Sequence, residues 1–109
     1  MSLGRFPVRS IGTAATAINT AVPASKTWTV IGMSICNKLS QTIAVDMYVT
    51  DAGANNTYIL KAFNIPPGET LFPWGQVGKG VLIAGDVIYL VASVAAAVDV
   101  WMPYYQEAA

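Results

Sequence analysis

The feature that most constrains the fold of this chain is its C-terminal third, Val81–Tyr105, which contains a long apolar run. The uncharged part of that run, Val87–Val98, is bounded by Asp86 and Asp99 and is 12 residues long. A transmembrane helix requires about 20 apolar residues, so this run is too short to cross a membrane as a helix. Two interpretations remain: a helix within a folded domain, or a pair of buried β-strands.

The residue types in this run favour strands over a helix. Most of its large side chains are β-branched or aromatic, as is typical of strands, and Val98–Met102 alternates in polarity. The triplet Ala95-Ala96-Ala97 favours a helix, and we interpret it as the connection between two strands. Ala84-Gly85-Asp86 is a turn signal, and we expect the Asp86 carboxylate to accept backbone N–H groups there.

The central part of the chain carries the same strand pattern. Thr42–Thr50 alternates most clearly, while Thr27–Asn37 and Thr57–Phe63 are dense in β-branched and aromatic residues. The turn formers of Asp51–Asn56 predict a hairpin between two of these strands. Turn signals recur about every ten residues, as in sandwiches and barrels. The sequence therefore predicts an all-β, single-domain antiparallel β-sandwich, jelly-roll-like, with an extended N-terminal arm.

The arm is predicted from the composition of Met1–Ser25. This section is rich in Ala, Thr and Ser, and Phe6 is its one aromatic residue, so it offers little for a core face. We predict an extended arm at residues 1–25, with one weak strand near Arg9–Ala17, and the β-sandwich domain at residues 26–109. A disordered terminus is the alternative.

The composition of the whole chain indicates contact with other protein. Hydrophobic residues make up 54% and charged residues 11%, against about 25% charged in an average soluble domain. The formal net charge is zero, from 6 basic and 6 acidic residues, which favours self-association. Because the basic residues are scattered rather than clustered, a nucleic-acid partner is not expected. No apolar region of a signal peptide follows MSLGRFPVRS, so we expect the chain to remain in the cytoplasm or to leave by another route.

The residue content argues against an enzyme. The chain has no His and a single cysteine, Cys36, so Ser-His-Asp and Cys-His arrangements within the chain are excluded. The six acids fall mostly at predicted turns or on outward faces, where solvated charges are a simpler interpretation than a catalytic pair. We expect no enzymatic activity, no cofactor, no metal, no membrane contact and no small-molecule substrate.

The large aromatic rings are more numerous than a small core needs, which indicates a contact surface. Trp101 shares its strand parity with Asp99, so an outward Asp99 implies an outward Trp101; in the opposite register Trp101 is a core residue. Aromatic residues and Arg are enriched in protein interfaces. The predicted contact residues are Arg5, Phe6, Arg9, Trp74, Trp101, Tyr104 and Tyr105. The rings among them also suit a carbohydrate-binding module.

Three segments follow one another in a recognisable order: PPGETLF, GKGVLIAGDVIYLVAS and VDV. The residues of this pattern are Pro66, Pro67, Gly68, Leu71, Lys79, Leu82, Gly85, Asp86, Val87, Tyr89, Val91, Ala92 and Ser93. In this order the chain resembles small β-sandwich structural proteins of tailed bacteriophages, over roughly Trp28–Tyr105. The resemblance implies a virion component that assembles in several copies.

From the resemblance we expect a capsid decoration (cement) protein, located in the virion and assembled in the host cytoplasm. We expect it to form homo-oligomers, with a trimer favoured, and to bind a major capsid protein. A component of the neck, tail or fibre base is the alternative. The N-terminal arm is expected to reach the shell, while the aromatic C-terminal surface holds the copies together. On this basis, deletion of Met1–Ser25 is expected to leave the oligomer intact and to abolish particle binding.

Overall fold

The chain folds into two antiparallel β-sheets. The computed structural model describes residues 2–75 and 78–108, and within them it contains ten strands and no helix. The strands are β1 (Ser2–Ile11), β2 (Thr16–Ala17), β3 (Lys26–Ile31), β4 (Ser34–Asn37), β5 (Ile43–Thr50), β6 (Asn56–Ile65), β7 (Thr70–Leu71), β8 (Lys79–Ile83), β9 (Val87–Ala92) and β10 (Val98–Ala108). Accordingly, this described part has no helix of the length and hydropathy needed to span a membrane.

Both sheets derive from one long antiparallel ribbon. The first strand pairs with the tenth, the second with the ninth, the third with the eighth, the fourth with the seventh and the fifth with the sixth. The tip of the ribbon is the turn Asp51–Asn55, where the Asp51 N–H donates to the Asn55 carbonyl at 3.0 Å. Every strand pair thus brings together residues on opposite sides of the middle of the chain.

The ribbon is rolled up by three further pairings. β10 pairs with β3 and β4, and β5 pairs with β9. Sheet A then has the order β7-β4-β10-β3-β8, with β1 on the other edge of β10, and sheet B has the order β2-β9-β5-β6. Because β3 and β4 follow one another along β10, they act as one interrupted strand. A six-stranded and a four-stranded antiparallel sheet rolled from one ribbon form a jelly-roll-like sandwich, so the predicted all-β sandwich class is confirmed.

A proline in the central strand β10 explains where that interruption lies. Proline has no N–H to donate and is rare in a strand paired on both sides. Pro103 lies between the part of β10 paired with β4, which ends at Trp101, and the part paired with β3, which begins at Tyr104. The missing donor thus coincides with the break between β3 and β4, where Gly32 adopts a φ of 57°.

The apolar run of the C-terminal third supplies the core strands, as predicted. β9 buries Ile88 and Leu90, and β10 buries Val98, Val100 and Met102, each exposed by 3% or less. Between them, the alanine triplet forms the connection rather than a helix. The turn before β9 also follows the prediction, because the Ile83 N–H donates to Asp86 Oδ2 at 2.9 Å.

The structure corrects the prediction for residues 1–25. Ser2–Ile11 forms β1 and pairs with β10 along its length, and Ile11, Ile18 and Val22 belong to the buried core. From Ser2 onwards the described chain is therefore part of the sandwich, and neither an extended arm nor a disordered terminus. The one strand predicted near Arg9–Ala17 corresponds to two elements, the end of β1 and the short β2, with a connection between them. Composition misled here because β1 is an edge strand that buries little of its own.

One buried amide holds the end of β4 to the end of β6. Asn37 is fully buried, and its Nδ2 donates to the carbonyls of Gln41 at 2.8 Å and Ile65 at 3.0 Å, with Pro66 at 3.2 Å. Its Oδ1 accepts from the Leu39 N–H at 3.0 Å. The side chain therefore satisfies backbone groups at the end of β6 and in the turn that follows β4.

Candidate protein interface on sheet A

The outer face of sheet A carries most of the exposed large apolar side chains of the described residues. Five of the seven such residues lie on it: Leu3 (77% exposed), Val81 (65%), Ile83 (61%), Trp101 (47%) and Ile31 (40%). We call this surface the A face. It consists of the outward-pointing residues of β1 from Leu3 to Arg9, β3 from Thr27 to Ile31, β8 from Lys79 to Ile83 and β10 from Asp99 to Glu107.

The strand register makes these side chains neighbours. Leu3 pairs with Tyr105, Tyr105 with Thr29, and Thr29 with Val81, so one row crosses the whole sheet. Directly paired residues point to the same side of a sheet and lie within contact distance. In β1, Pro7 pairs with Trp101 in the same way. The exposed apolar residues therefore form one contiguous surface and are not scattered.

A shallow groove of about 360 Å³ lies near the middle of the A face. Leu3, Arg5, Ile31, Trp101 and Pro103 contribute to its walls. The Arg5 guanidinium lies 4.7 Å from the centroid of the Trp101 ring, which is a cation–π contact. This contact orients both side chains along one wall, so the groove is lined by preoriented groups.

The A face carries a positive charge. Arg5, Arg9 and Lys79 lie on it and form no ion pair with any described residue. At the edge of the A face, Lys38 Nζ lies 3.0 Å from Asp99 Oδ1. Asp99 and Glu107 are the two acidic residues of the A face. Four cations against two carboxylates leave an excess of two positive charges, while the whole chain is neutral.

Asp99 joins β10 to an irregularity in β1. The register shifts between Val8 and Ile11, and Ser10 adopts a φ of 57°. The Ser10 N–H donates to Asp99 Oδ1 at 2.9 Å, and Lys38 donates to Ser10 Oγ at 2.7 Å. The Ser10 hydrogen bond, followed by the bond and the charge of Lys38, holds the pKa of Asp99 below its usual value.

Four of the seven predicted contact residues lie on the A face. Arg5, Arg9, Trp101 and Tyr105 point outward, and Trp101 shares its orientation with Asp99 as its strand parity predicts. The opposite register, with Trp101 in the core, is wrong. The contact role of these four residues stays a prediction.

The other three predicted contact residues lie elsewhere, which corrects their assignment to this surface. Phe6 and Tyr104 point inward, with ring centroids 5.3 Å apart, and Tyr104 stacks on the buried Trp28 at 4.2 Å. Trp74 is half-buried after β7, and its ring covers Gly80 at the edge of sheet A. All three rings pack against the core and stabilise the sandwich.

The structure joins two segments that the sequence prediction treated as separate surfaces. Arg5 of β1 pairs with Pro103 of β10, and Pro7 pairs with Trp101. The N-terminal residues and the C-terminal aromatic residues are therefore one surface. The sequence prediction gave these segments separate roles, with the N-terminal segment reaching the shell and the C-terminal patch holding the copies together. The structure corrects that separation, because both segments lie on the A face.

The sequence prediction missed a row of tyrosines on the outer face of sheet B. Tyr48 lies between Tyr58 and Tyr89, with ring centroids 5.1 and 5.4 Å apart, and Lys61 Nζ lies 4.8 Å from the Tyr58 centroid. The alternation of Thr42–Thr50 already places Tyr48 outward, so the signal for part of this row was present. Tyr48 and Tyr89 are stacked, whereas Tyr58 is tilted against Tyr48 and is 49% exposed.

Comparison with known proteins assigns no family to this chain. No protein-family model matches the chain. No curated protein matches it either. Among solved structures, it is similar to one of infectious bursal disease virus, Gx strain, with a TM-score of 0.48 and 10% sequence identity. The match covers 97% of this chain and 29% of the viral chain, so this chain spans less than a third of that viral chain.

Proposed function

We propose that this chain is a structural virion protein, specifically a capsid decoration (cement) protein of a tailed bacteriophage. In this role it oligomerises and bridges major capsid subunits. The A face is the observation that carries the proposal, because soluble monomers rarely expose a large contiguous apolar surface without a partner. The resemblance to phage β-sandwich proteins, over roughly Trp28–Tyr105, indicates the kind of assembly that we propose.

The proposed mechanism is thermodynamic. A protein that binds only the assembled shell shifts the equilibrium toward that state, by about 2.7 kcal/mol per site at a free concentration 100 times its Kd. Several weak contacts within one oligomer reinforce one another through their effective concentration. A rolled sandwich suits this role, because its regular strands hold the contact side chains in fixed positions.

Reconstitution tests the proposal. The purified chain is added to phage heads that were prepared without it, and bound copies and the temperature of head rupture are measured. We expect saturable binding and a higher rupture temperature. Val81→Asp on the A face should abolish binding, whereas Tyr58→Asp on sheet B, a matched change at an exposed position, should not. Heads that bind no chain, or bind it without any gain in heat resistance, would contradict the proposal.

A position in the neck, tail or fibre base would use the same kind of surface and differ in copy number. Decoration requires on the order of hundreds of copies per particle, whereas a neck or tail ring requires on the order of six to twelve.

A carbohydrate-binding module is a second candidate, because Trp101 is 47% exposed and lies on the same outward face of β10 as Tyr105. Glycan-array binding that is lost in Trp101→Ala, with an unchanged oligomer, would favour this candidate. Binding to no glycan would exclude it for the sugars tested.

A further inference from the structure

We infer that the A face binds a different protein, whose complementary surface is apolar with an acidic rim, and that it does not bind a second copy of this chain. The inference rests on the proposed function only in taking the phage shell as that partner. It assigns the contact between copies to another surface of the sandwich.

The apolar residues of the A face point to a protein partner. Leu3, Val81 and Ile83 are each more than 60% exposed, and the central groove can accept an apolar side chain beside Trp101. Such residues add nothing to the binding of a phosphate backbone, which depends on cations. Buried aromatic and Arg anchors are, by contrast, the usual energetic centre of protein interfaces.

The charges of the A face argue against pairing with itself. Arg5 lies on β1 and Lys79 on β8, so cations flank the apolar centre on both edges of the sheet. A two-fold pair of A faces would bring together two surfaces that each carry an excess of two positive charges. Glu107 is the only acid on each A face that lacks an ion pair among the described residues. Like charges juxtaposed in an interface oppose binding, and the opposition grows as water is excluded.

The remaining surface of a second copy does not offer an acidic rim either. Asp46 is paired with Lys61 at 3.4 Å and accepts the Ala62 N–H. Asp51 Oδ1 accepts two N–H groups of its own turn. Asp86 is only 8% exposed and accepts the Ile83 N–H.

Outside the A face, this leaves Glu69 as the only acid without a side-chain bond among the described residues. One such carboxylate cannot neutralise Arg5, Arg9 and Lys79 together. The acidic rim must therefore come from another protein.

Charge reversal tests this inference. The double variant Arg5→Glu/Lys79→Glu changes the A face, and Lys26→Glu/Lys61→Glu makes the same total charge change elsewhere. We expect the A-face variant to bind heads prepared without the chain about 30-fold more weakly than the wild type, since each reversal turns attraction into repulsion. The control variant should bind within about 3-fold of the wild type, and Arg5→Lys/Lys79→Arg should retain binding. Binding by the wild type should also weaken as salt is raised.

Sedimentation of the isolated chain provides the second readout. We expect the same oligomer for the wild type, the A-face variant and Val81→Asp, because copies meet elsewhere. An oligomer that dissociates in Val81→Asp, or tightens in Arg5→Glu/Lys79→Glu, would show that copies meet through the A face and would overturn the inference. Equal binding of heads by all charge variants would overturn it as well.

These outcomes separate the two proposals. If the wild type does not bind heads at all, the decoration function fails. The inference is then tested by sedimentation alone, which shows whether the A-face variants change the oligomer and therefore whether copies meet through the A face. If the wild type binds and the A-face variant binds equally well, only the inference about the A face fails.

Discussion

Substitution of Ile18 by Ala distinguishes most sharply between an N-terminal segment that is an arm and one that is part of the sandwich. Ile18 is 2% exposed and belongs to the buried core, and its N–H donates to the Ile88 carbonyl at 2.7 Å. Alanine keeps that backbone hydrogen bond, so the change removes only the buried side chain. If the segment were an arm, the same change would scarcely affect stability.

The magnitude follows from the burial. Replacing a buried Ile by Ala typically lowers the free energy of unfolding by about 2–5 kcal/mol, through lost transfer energy and the cavity that remains. With a urea dependence of about 2 kcal/mol per molar, a loss of about 3 kcal/mol lowers the urea midpoint by roughly 1.5 M. The total free energy of unfolding of such a domain is only about 5–15 kcal/mol, so a loss of about 3 kcal/mol is a large fraction of it.

The assay is equilibrium unfolding in urea, followed by tryptophan fluorescence, since Trp28 is 3% exposed in the fold. All variants are compared at one protein concentration, because association contributes to the apparent stability. Leu3→Ala is the matched control: Leu3 is 77% exposed and should change the free energy of unfolding by less than about 0.5 kcal/mol. Equal midpoints for Ile18→Ala and Leu3→Ala would refute the assignment of this segment to the core. For the same reason, deletion of residues 1–25 should unfold the chain rather than leave an oligomer intact.

Three further predictions test other parts of the fold. Gly4→Ala should lower the free energy of unfolding by about 1–3 kcal/mol, because its Cβ would overlap the Tyr104 ring, and the loss should shrink in a Tyr104→Leu background. Asn37→Ala should cost about 3 kcal/mol in urea unfolding, because it leaves buried carbonyls without donors; a loss below about 1 kcal/mol would contradict that role. The lowered pKa of Asp99 means that its contribution to stability is present above its usual value of 3.8 and is lost as the pH falls through the lower folded value. The stability gap between the wild type and Asp99→Asn should therefore be open at pH 7 and close in acid, and a gap that does not change with pH would contradict the Ser10 contact.

The strands that carry many buried residues were predictable from the sequence, and the strand that buries few was not. β5 and the first part of β10 alternate in polarity because one face of each packs in the core, and β9 is rich in β-branched and aromatic residues. β1 has Gly4 at one inward position, and its outward residues include Leu3 and Pro7, so its polarity does not follow its burial. Its place depends on pairing with β10, which lies from 87 residues away (Ile11 with Val98) to 104 residues away (Ser2 with Gln106), and no local pattern encodes that pairing.

The candidate site was predictable in part, through strand parity. Once Trp101 is outward, Tyr105 must be outward and Tyr104 inward, so the sequence already contained the correction for Tyr104. Phe6 needed the pairing of β1 with β10 to be placed, and Trp74 lies in a connection where parity gives no guide. The union of Arg5 with Trp101 on one face likewise depends on strand pairing, which composition cannot supply.

The most direct test of the account is the copy number and location of this chain on the native particle. Electron microscopy of purified virions, together with quantitative mass spectrometry, gives both. The account predicts on the order of hundreds of copies on the head, arranged with the symmetry of the shell and with the A face against the major capsid protein. Absence from the particle, or a ring of on the order of six to twelve copies at the neck or tail, would contradict it.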